Sequence, residues 1–269
     1  MKIIGSTSAW KNDLDHALGR LKALGFEEVD LIVIESWGLV SLRRLVDDFD
    51  AECGRVEALL DKHGLRAVSV NAAFEAVFHE PGDAESREAL RVQVDALGRF
   101  MQQLGISTGA HYPGHIADWK NDPEGVWVNT TESLRFIQEY LSGTGLRLGP
   151  ELHFKTPYET PEGGRRLLRA IPGIPYTYEP SHYIVNGVDV RDTADLLDGA
   201  CHVHLRGCAP GRLQAPPEVG EDSLRWVVER LKARCYEGMV SIEYLPNADF
   251  DAEAAIAGLN SKTLQWSLA

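Results

Sequence analysis

The stretch CHVHLRGCAPGR, residues 201–212, runs from a short apolar strand pattern into a segment rich in glycine and proline. Side chains two residues apart in a strand point to the same face, so His202, His204 and Arg206 are expected to project together. An isolated pair of histidines in a strand is most simply a hydrogen-bonded part of the core. What this stretch does therefore depends on what the other strands carry at the same end.

Strand-like runs of this kind alternate with amphipathic helical stretches along the whole chain. The runs lie at 2–8, 28–35, 66–72, 106–112, 147–154, 174–180, 201–207 and 239–245. Alternating strands and helices predict a parallel sheet with helical crossovers, and eight such units favour a closed (β/α)8 TIM barrel. With no linker rich in proline or serine, we expect one barrel domain spanning residues 1–269.

The alternative to a barrel is an open, doubly wound sheet. Such sheets commonly carry a glycine-rich phosphate-binding turn after an early strand. The sequence contains neither G-x-G-x-x-G after its first strand nor G-x-x-x-x-G-K-[ST]. The missing motifs favour the barrel.

The acidic composition limits the classes of partner that the protein is expected to bind. Against 27 Lys and Arg stand 40 Asp and Glu, for a formal net charge of −13, which repels phosphate backbones and anionic lipids. No segment approaches the ~20 apolar residues of a membrane span. We therefore expect a cytoplasmic protein that binds a small molecule, with no nucleic-acid or membrane partner; a homo-oligomer is compatible with the sequence.

Acidic residues stand at the ends of the later predicted strands, and two of them have a histidine nearby. They occur in PELHF (Glu151, His153), YEPSH (Glu179, His182) and SIEYL (Glu243). Each carboxylate is embedded in apolar sequence, where burial without a partner is costly. Because the carboxyl ends of barrel strands meet at one rim, a shared cation would relieve that cost. Oxygen donors with an imidazole suit Mn²⁺, Mg²⁺, Co²⁺ or catalytic Zn²⁺.

At these residues the sequence resembles the xylose isomerase-like barrels of the sugar-phosphate isomerase/epimerase type, and the resemblance covers essentially the whole chain. The group includes ketose 3-epimerases, hydroxypyruvate isomerase, inosose dehydratase and, more distantly, endonuclease IV-type AP endonucleases. The resemblance implies a divalent metal ion, Mn²⁺ first, held by four residues: Glu151, Glu179, His204 and Glu243. It also implies that His182 contacts the substrate or a second metal.

Two positions depart from the family pattern. Glu179 stands where the family usually has Asp, so its carboxylate reaches one methylene further. The sequence HLRG replaces the common H-[LIV]-K-D, which leaves Gly207 where an Asp is often found. We expect the ligand geometry to differ at these two points.

The resemblance implies a metal-dependent isomerase or epimerase that acts on a sugar or keto-sugar. In this reading Glu151 and Glu243 move the proton next to a metal-bound carbonyl, through an enediolate. A metal-dependent dehydratase starts with the same step and is the alternative. An AP endonuclease-like hydrolase is less favoured, because strand seven is followed by no D-x-H and the chain is acidic. A non-catalytic sugar-binding barrel is the remaining reading.

Further candidates come from other strand ends. His111, Arg206 and Arg212 are candidates for substrate contacts, against a structural loop histidine for His111 and a surface charge for Arg212. His153 is more simply a core histidine. Three residues that end early strands are candidates for the pocket wall: Trp10, Glu35 and Asn71.

Overall fold

The computed structural model describes residues 1–74, 84–113 and 119–268. In these ranges the chain forms ten strands, eight of them in one parallel sheet. The eight are β1 (Lys2–Ser6), β2 (Glu28–Val33), β3 (Arg66–Ala73), β4 (Thr108–Tyr112), β5 (Arg147–Pro150), β6 (Thr177–Tyr178), β7 (His202–Leu205) and β10 (Met239–Ile242). The remaining two, β8 (Gly207–Ala209) and β9 (Arg212–Ala215), form a separate antiparallel hairpin.

The sheet follows the order β5-β4-β3-β2-β1-β10-β7-β6, which is the order of a barrel opened between β5 and β6. A single parallel bridge between Glu151 and Thr177 spans that gap. The Leu152 N–H also donates to the Thr177 carbonyl at 2.9 Å. The predicted TIM barrel is therefore confirmed, and its closure is nearly complete.

Several strands end earlier than the hydrophobic pattern predicts. The first ends at Ser6, where a 3-10 turn over Thr7–Ala9 begins, and the fifth ends at Pro150 rather than at residue 154. The sixth keeps only two of the seven predicted residues. At each of these ends the chain leaves the ladder as it reaches the rim.

Helices connect the strands and cover the outside of the barrel. They are α1 (Leu14–Ala23), α2 (Leu42–Asp47), α3 (Phe49–His63), α4 (Ala84–Gln103), α5 (Pro123–Tyr140), α6 (Pro161–Ala170), α7 (Ser181–Ile184), α8 (Ala194–Asp198), α9 (Glu221–Ala233) and α10 (Ala252–Leu268). No helix in the described ranges is long and apolar enough to cross a membrane.

Apolar residues spaced three and four apart predict one helical stretch over residues 42–64, whereas the structure divides it at Asp48. There the backbone leaves the helical region (φ −150°), and the Asp48 carboxylate accepts a hydrogen bond from the Ala51 N–H. An aspartate in this conformation is a favourable N-cap, so it starts α3 instead of continuing α2.

The glycines and prolines after β7 are typical of a loop between a strand and a helix, but the structure forms a hairpin there. β8 and β9 pair Gly207 with Ala215 and Ala209 with Arg212. The Gly207 N–H also donates to the Tyr244 hydroxyl at 2.8 Å, which ties the hairpin to the segment after β10.

The interior of the barrel is polar, in contrast to its apolar outer layer. His202 on β7 contacts the hydroxyls of Ser69 on β3 (2.9 Å) and Ser241 on β10 (2.7 Å). Because β3 and β7 are not neighbours in the sheet, the Ser69 contact crosses the barrel. One layer closer to the carboxyl rim, Asn71 donates to Glu243 at 3.2 Å. The strands thus direct alternate side chains inward, toward the rim where the predicted ligands lie.

Candidate metal centre and cavity

The four predicted ligands lie at the carboxyl ends of four barrel strands. Glu151 directly follows β5, Glu179 directly follows β6, His204 lies in β7 and Glu243 directly follows β10. The Glu243 N–H donates to the Leu205 carbonyl at 3.0 Å, so backbone pairing continues to this candidate ligand. All four residues are buried.

These four side chains form one compact cluster. One ligand atom from each lies within 4.8 Å of those of the other three. The His204 Nδ1 lies 3.2 Å from Glu151 Oε1 and 3.2 Å from Glu243 Oε2. Ligand atoms bonded to one cation at about 2.0–2.2 Å lie about 3 Å from their neighbours, so the spacing matches a coordination shell.

His182 joins two of the carboxylates. Its Nε2 lies 3.2 Å from both Glu151 Oε1 and Glu179 Oε2, and the residue is in α7, immediately after β6. The ring of His153 packs against it with 3.8 Å between the centroids. Glu151, His153 and His182 also have the donor atoms and proximity of a metal-binding group.

Arg206 forms a forked ion pair with Glu179. Its Nε and Nη2 donate to the two carboxylate oxygens of Glu179, and Nη2 also lies 3.4 Å from Glu243 Oε2. The two side chains are buried, and such a forked pair is a strong, directional interaction. The sequence predicted a substrate contact for Arg206; the structure adds a firm link to a predicted metal ligand.

Opposite charges govern ionisation in the cluster. Burial disfavours a charged carboxylate, but hydrogen bonds from His182 and His204 hold the pKa of Glu151 well below its ordinary value. Burial is likewise outweighed at Glu179, where Arg206 and His182 lower the pKa to about 2. Burial opposes protonation of His204, yet Glu243 and Glu151 raise its pKa well above the ordinary value. Glu151 and Glu179 are thus held ionised, as metal-binding carboxylates must be, whereas His204 would have to lose its proton to bind a metal.

Two predicted substrate contacts lie elsewhere. His111 is buried within β4, 5.6 Å between ring centroids from Phe74, and is not among the described residues that line the cavity. Arg212 is exposed on β9, where the hairpin turns it away from the described cavity wall. Glu35 accepts hydrogen bonds from Ser41 and the Arg43 N–H, and neither Glu35 nor Trp10 lines the described wall.

A cavity of about 370 Å³ opens above the cluster. Its floor includes Glu151, His182, Arg206, Glu243 and Asn71, the last a predicted wall residue. The described wall is largely apolar and comprises Ile32, Ile34, Trp37, Ala73, Tyr112, Phe154, Leu213 and Leu245, with Ser36 and His153. Four of them, Ile32, Ala73, Tyr112 and Leu213, lie in strands and the others come shortly after one. Apolar residues at such positions are common, so sequence reasoning named few of them.

His111 gives the fold an acid-sensitive group. Burial lowers its pKa to about 3, so the folded protein keeps the ring neutral while the unfolded chain takes up a proton below pH ~6.5. Stability is therefore lost as the pH falls through this window. Between pH 6.5 and 5, wild type is expected to lose about 2 kcal/mol more than His111→Gln.

Urea unfolding of both proteins at several pH values measures this difference. His16→Gln, which alters an exposed histidine, is the matched control and is expected to keep the wild-type pH dependence. Parallel pH profiles for wild type and His111→Gln would contradict the assignment.

The fold and the cluster define a class of protein: a (β/α)8 barrel with a buried carboxylate–histidine group, typical of a divalent metal site, at its carboxyl rim. Residues 18–262 match the family described as xylose isomerase-like TIM barrel. The chain belongs to this family.

Solved structures with the same fold cover nearly the whole chain. A xylose isomerase domain protein from Alicyclobacillus acidocaldarius subsp. acidocaldarius superimposes with a TM-score of 0.74 at 16% identity, covering 99% of this chain and 100% of that one. A 3-keto-D-glucoside 4-epimerase from E. coli gives 0.71 at 17% identity, covering 98% and 99%. D-Psicose 3-epimerase from Clostridium cellulolyticum H10, solved with D-tagatose, gives 0.69 at 14% identity, covering 100% and 98%. At these identities the likeness concerns the fold. A comparison with curated proteins finds no match.

Proposed function

We propose that this protein is a divalent-metal-dependent isomerase or epimerase of a sugar or keto-sugar. The observation that carries the proposal is the placement of Glu151 and Glu243, each 3.2 Å from the His204 Nδ1, at the floor of a cavity large enough for a small carbohydrate. Family membership and the fold shared with two sugar epimerases support it.

The cluster whose donor set fits a divalent cation comprises Glu151, Glu179, His204 and Glu243. Mn²⁺ is the first candidate, because carboxylate oxygens with one imidazole suit a fairly hard cation; Mg²⁺, Co²⁺ and Zn²⁺ remain candidates. When bound, the cation would polarise a substrate carbonyl and acidify the neighbouring C–H bond.

The side chains of the chain itself then perform the proton chemistry. Glu151 or Glu243 removes the proton from the carbon next to the carbonyl, which leaves an enediolate, and the other glutamate returns a proton. Return to the same carbon from the opposite face is epimerisation, and return to the neighbouring carbon is isomerisation. His182, which is hydrogen-bonded to Glu151, can donate a hydrogen bond to a substrate oxygen as negative charge develops on that oxygen.

Solvent deuterium exchange tests the proposal without knowledge of the exact sugar. Protein reconstituted with Mn²⁺ is incubated in D₂O with ketoses, ketose phosphates and inososes, and recovered substrates are examined by NMR and mass spectrometry. We expect deuterium at a carbon next to the carbonyl of at least one substrate. Exchange should stop when a chelator removes the metal and return when Mn²⁺ is restored.

Each alternative gives a different result in the same experiment. Loss of water from the substrate would identify a dehydratase. A protein that binds Mn²⁺ and a sugar but catalyses no exchange across the panel would contradict the proposed chemistry.

A further inference from the structure

Arg206 gives this site a permanent positive charge of its own. The residue follows β7, is only 3% exposed, and lies beside Glu179 and Glu243 at the cavity floor. Its guanidinium meets Glu179 through two parallel N–H donors. A lysine, with a single ammonium, cannot make this forked contact.

Hydrogen bonds and ion pairs occupy more of the acceptor sites of Glu179 than of Glu151 or Glu243. Besides the two donors from Arg206, Glu179 accepts from the Ser181 hydroxyl on Oε1 and faces His182 on Oε2. A carboxylate offers about four lone-pair sites, so little capacity is left for a further partner. By contrast, Glu151 and Glu243 both face the His204 Nδ1, where a cation would sit.

Arg206 also changes the net charge of the cluster to which a cation would bind. Three buried carboxylates carry three negative charges, of which the guanidinium neutralises one. A fixed positive charge beside the cation also opposes its binding through Coulomb repulsion.

We propose that Arg206 sets the metal affinity of this site by withholding Glu179 from coordination, which leaves Glu151, His204 and Glu243 as the protein ligands. Catalytic zinc sites typically have three protein ligands, and their open position receives substrate or water. The proposal rests on the metal site of the proposed function and not on the reaction.

The proposal makes a prediction that a purely structural ion pair does not. A ligand atom of Glu179 already lies within 4.8 Å of those of the other three residues. Removing the guanidinium therefore frees a fourth ligand in place and removes a repelling charge. Metal affinity should rise, whereas loss of a merely structural contact would leave it unchanged or lower it.

Titration with Mn²⁺ alone tests this, with free Mn²⁺ followed by electron paramagnetic resonance. Arg206→Met removes the charge, and Arg206→Gln removes it while keeping a donor for the buried Glu179, in case the methionine variant does not fold. We expect both variants to bind Mn²⁺ about tenfold more tightly than wild type, or better still. Arg212→Met, which removes an exposed arginine, is the control and should match wild type.

Glu179→Gln, made with and without Arg206, separates ligand release from charge, because it removes the same negative charge in both backgrounds. It should lower the Mn²⁺ affinity of wild type, in which Glu179 is not a ligand, by far less than that of Arg206→Gln. If it lowers the affinity equally in both backgrounds, or if neither Arg206 variant binds Mn²⁺ more tightly than wild type, the proposal is wrong. Absence of deuterium exchange in wild type, with affinity still rising in the variants, would instead count against the proposed reaction alone.

Discussion

Replacement of Glu151 by glutamine is expected to slow deuterium exchange and turnover by about 10²–10⁴-fold, the usual contribution of a general base. Glutamine keeps the shape and one oxygen donor but cannot accept the substrate proton. Glu243→Gln should have an effect of the same order, since both carboxylates face His204 Nδ1 at 3.2 Å. Rates are compared at equal Mn²⁺ occupancy, because each change also removes a charged ligand.

The control is Glu237→Gln, which removes a carboxylate from an exposed position and should leave the rates unchanged. Wild-type exchange in both glutamine variants would show that neither glutamate is the essential base. His182 and His153, which pack together at the cavity, would then be tested next.

Gly149→Ala is expected to lower the free energy of unfolding by about 3 kcal/mol or more, at the upper end of the range for overpacked cores. A Cβ at this position in β5 would lie 1.7 Å from the Pro175 carbonyl oxygen and 2.4 Å from its carbon. Both atoms are backbone, so no side chain can rotate away. The segment before β6 would have to move away from β5.

Gly54→Ala is the matched control for Gly149→Ala. Gly54 lies inside α3, with nothing within 4 Å of an added Cβ, so alanine should stabilise the helix by up to about 1 kcal/mol. Urea unfolding measures both variants. A Gly149→Ala protein with the wild-type midpoint would show that the two segments are less closely packed than the structure indicates.

The barrel was predictable because alternating strands and helices are a local pattern that each unit repeats. Positions of strand ends were less predictable, as at β5, which ends at Pro150 although the predicted run continues to residue 154. The division at Asp48 depends on a single capping hydrogen bond, which hydrophobic periodicity does not register.

The proximity of the four candidate ligands was predictable for a topological reason, since parallel barrel strands bring their carboxyl ends to one rim. The partner of Arg206 was not, because it depends on side-chain length: the longer Glu179 can reach the guanidinium. The position of Arg212 depends on the pairing of β8 with β9, which the glycines and prolines of that segment did not reveal.

The narrow junction between β5 and β6 has a thermodynamic consequence. Glu151 is both the residue that bridges this junction to Thr177 and a candidate metal ligand facing His204 and Glu243 on the far side of it. A ligand that binds Glu151 together with His204 and Glu243 also stabilises the pairing of Glu151 with Thr177. By linkage, stronger pairing between β5 and β6 must raise the affinity for that ligand. Amide hydrogens of residues 151–152 and 177 should accordingly exchange more slowly with solvent once Mn²⁺ is bound.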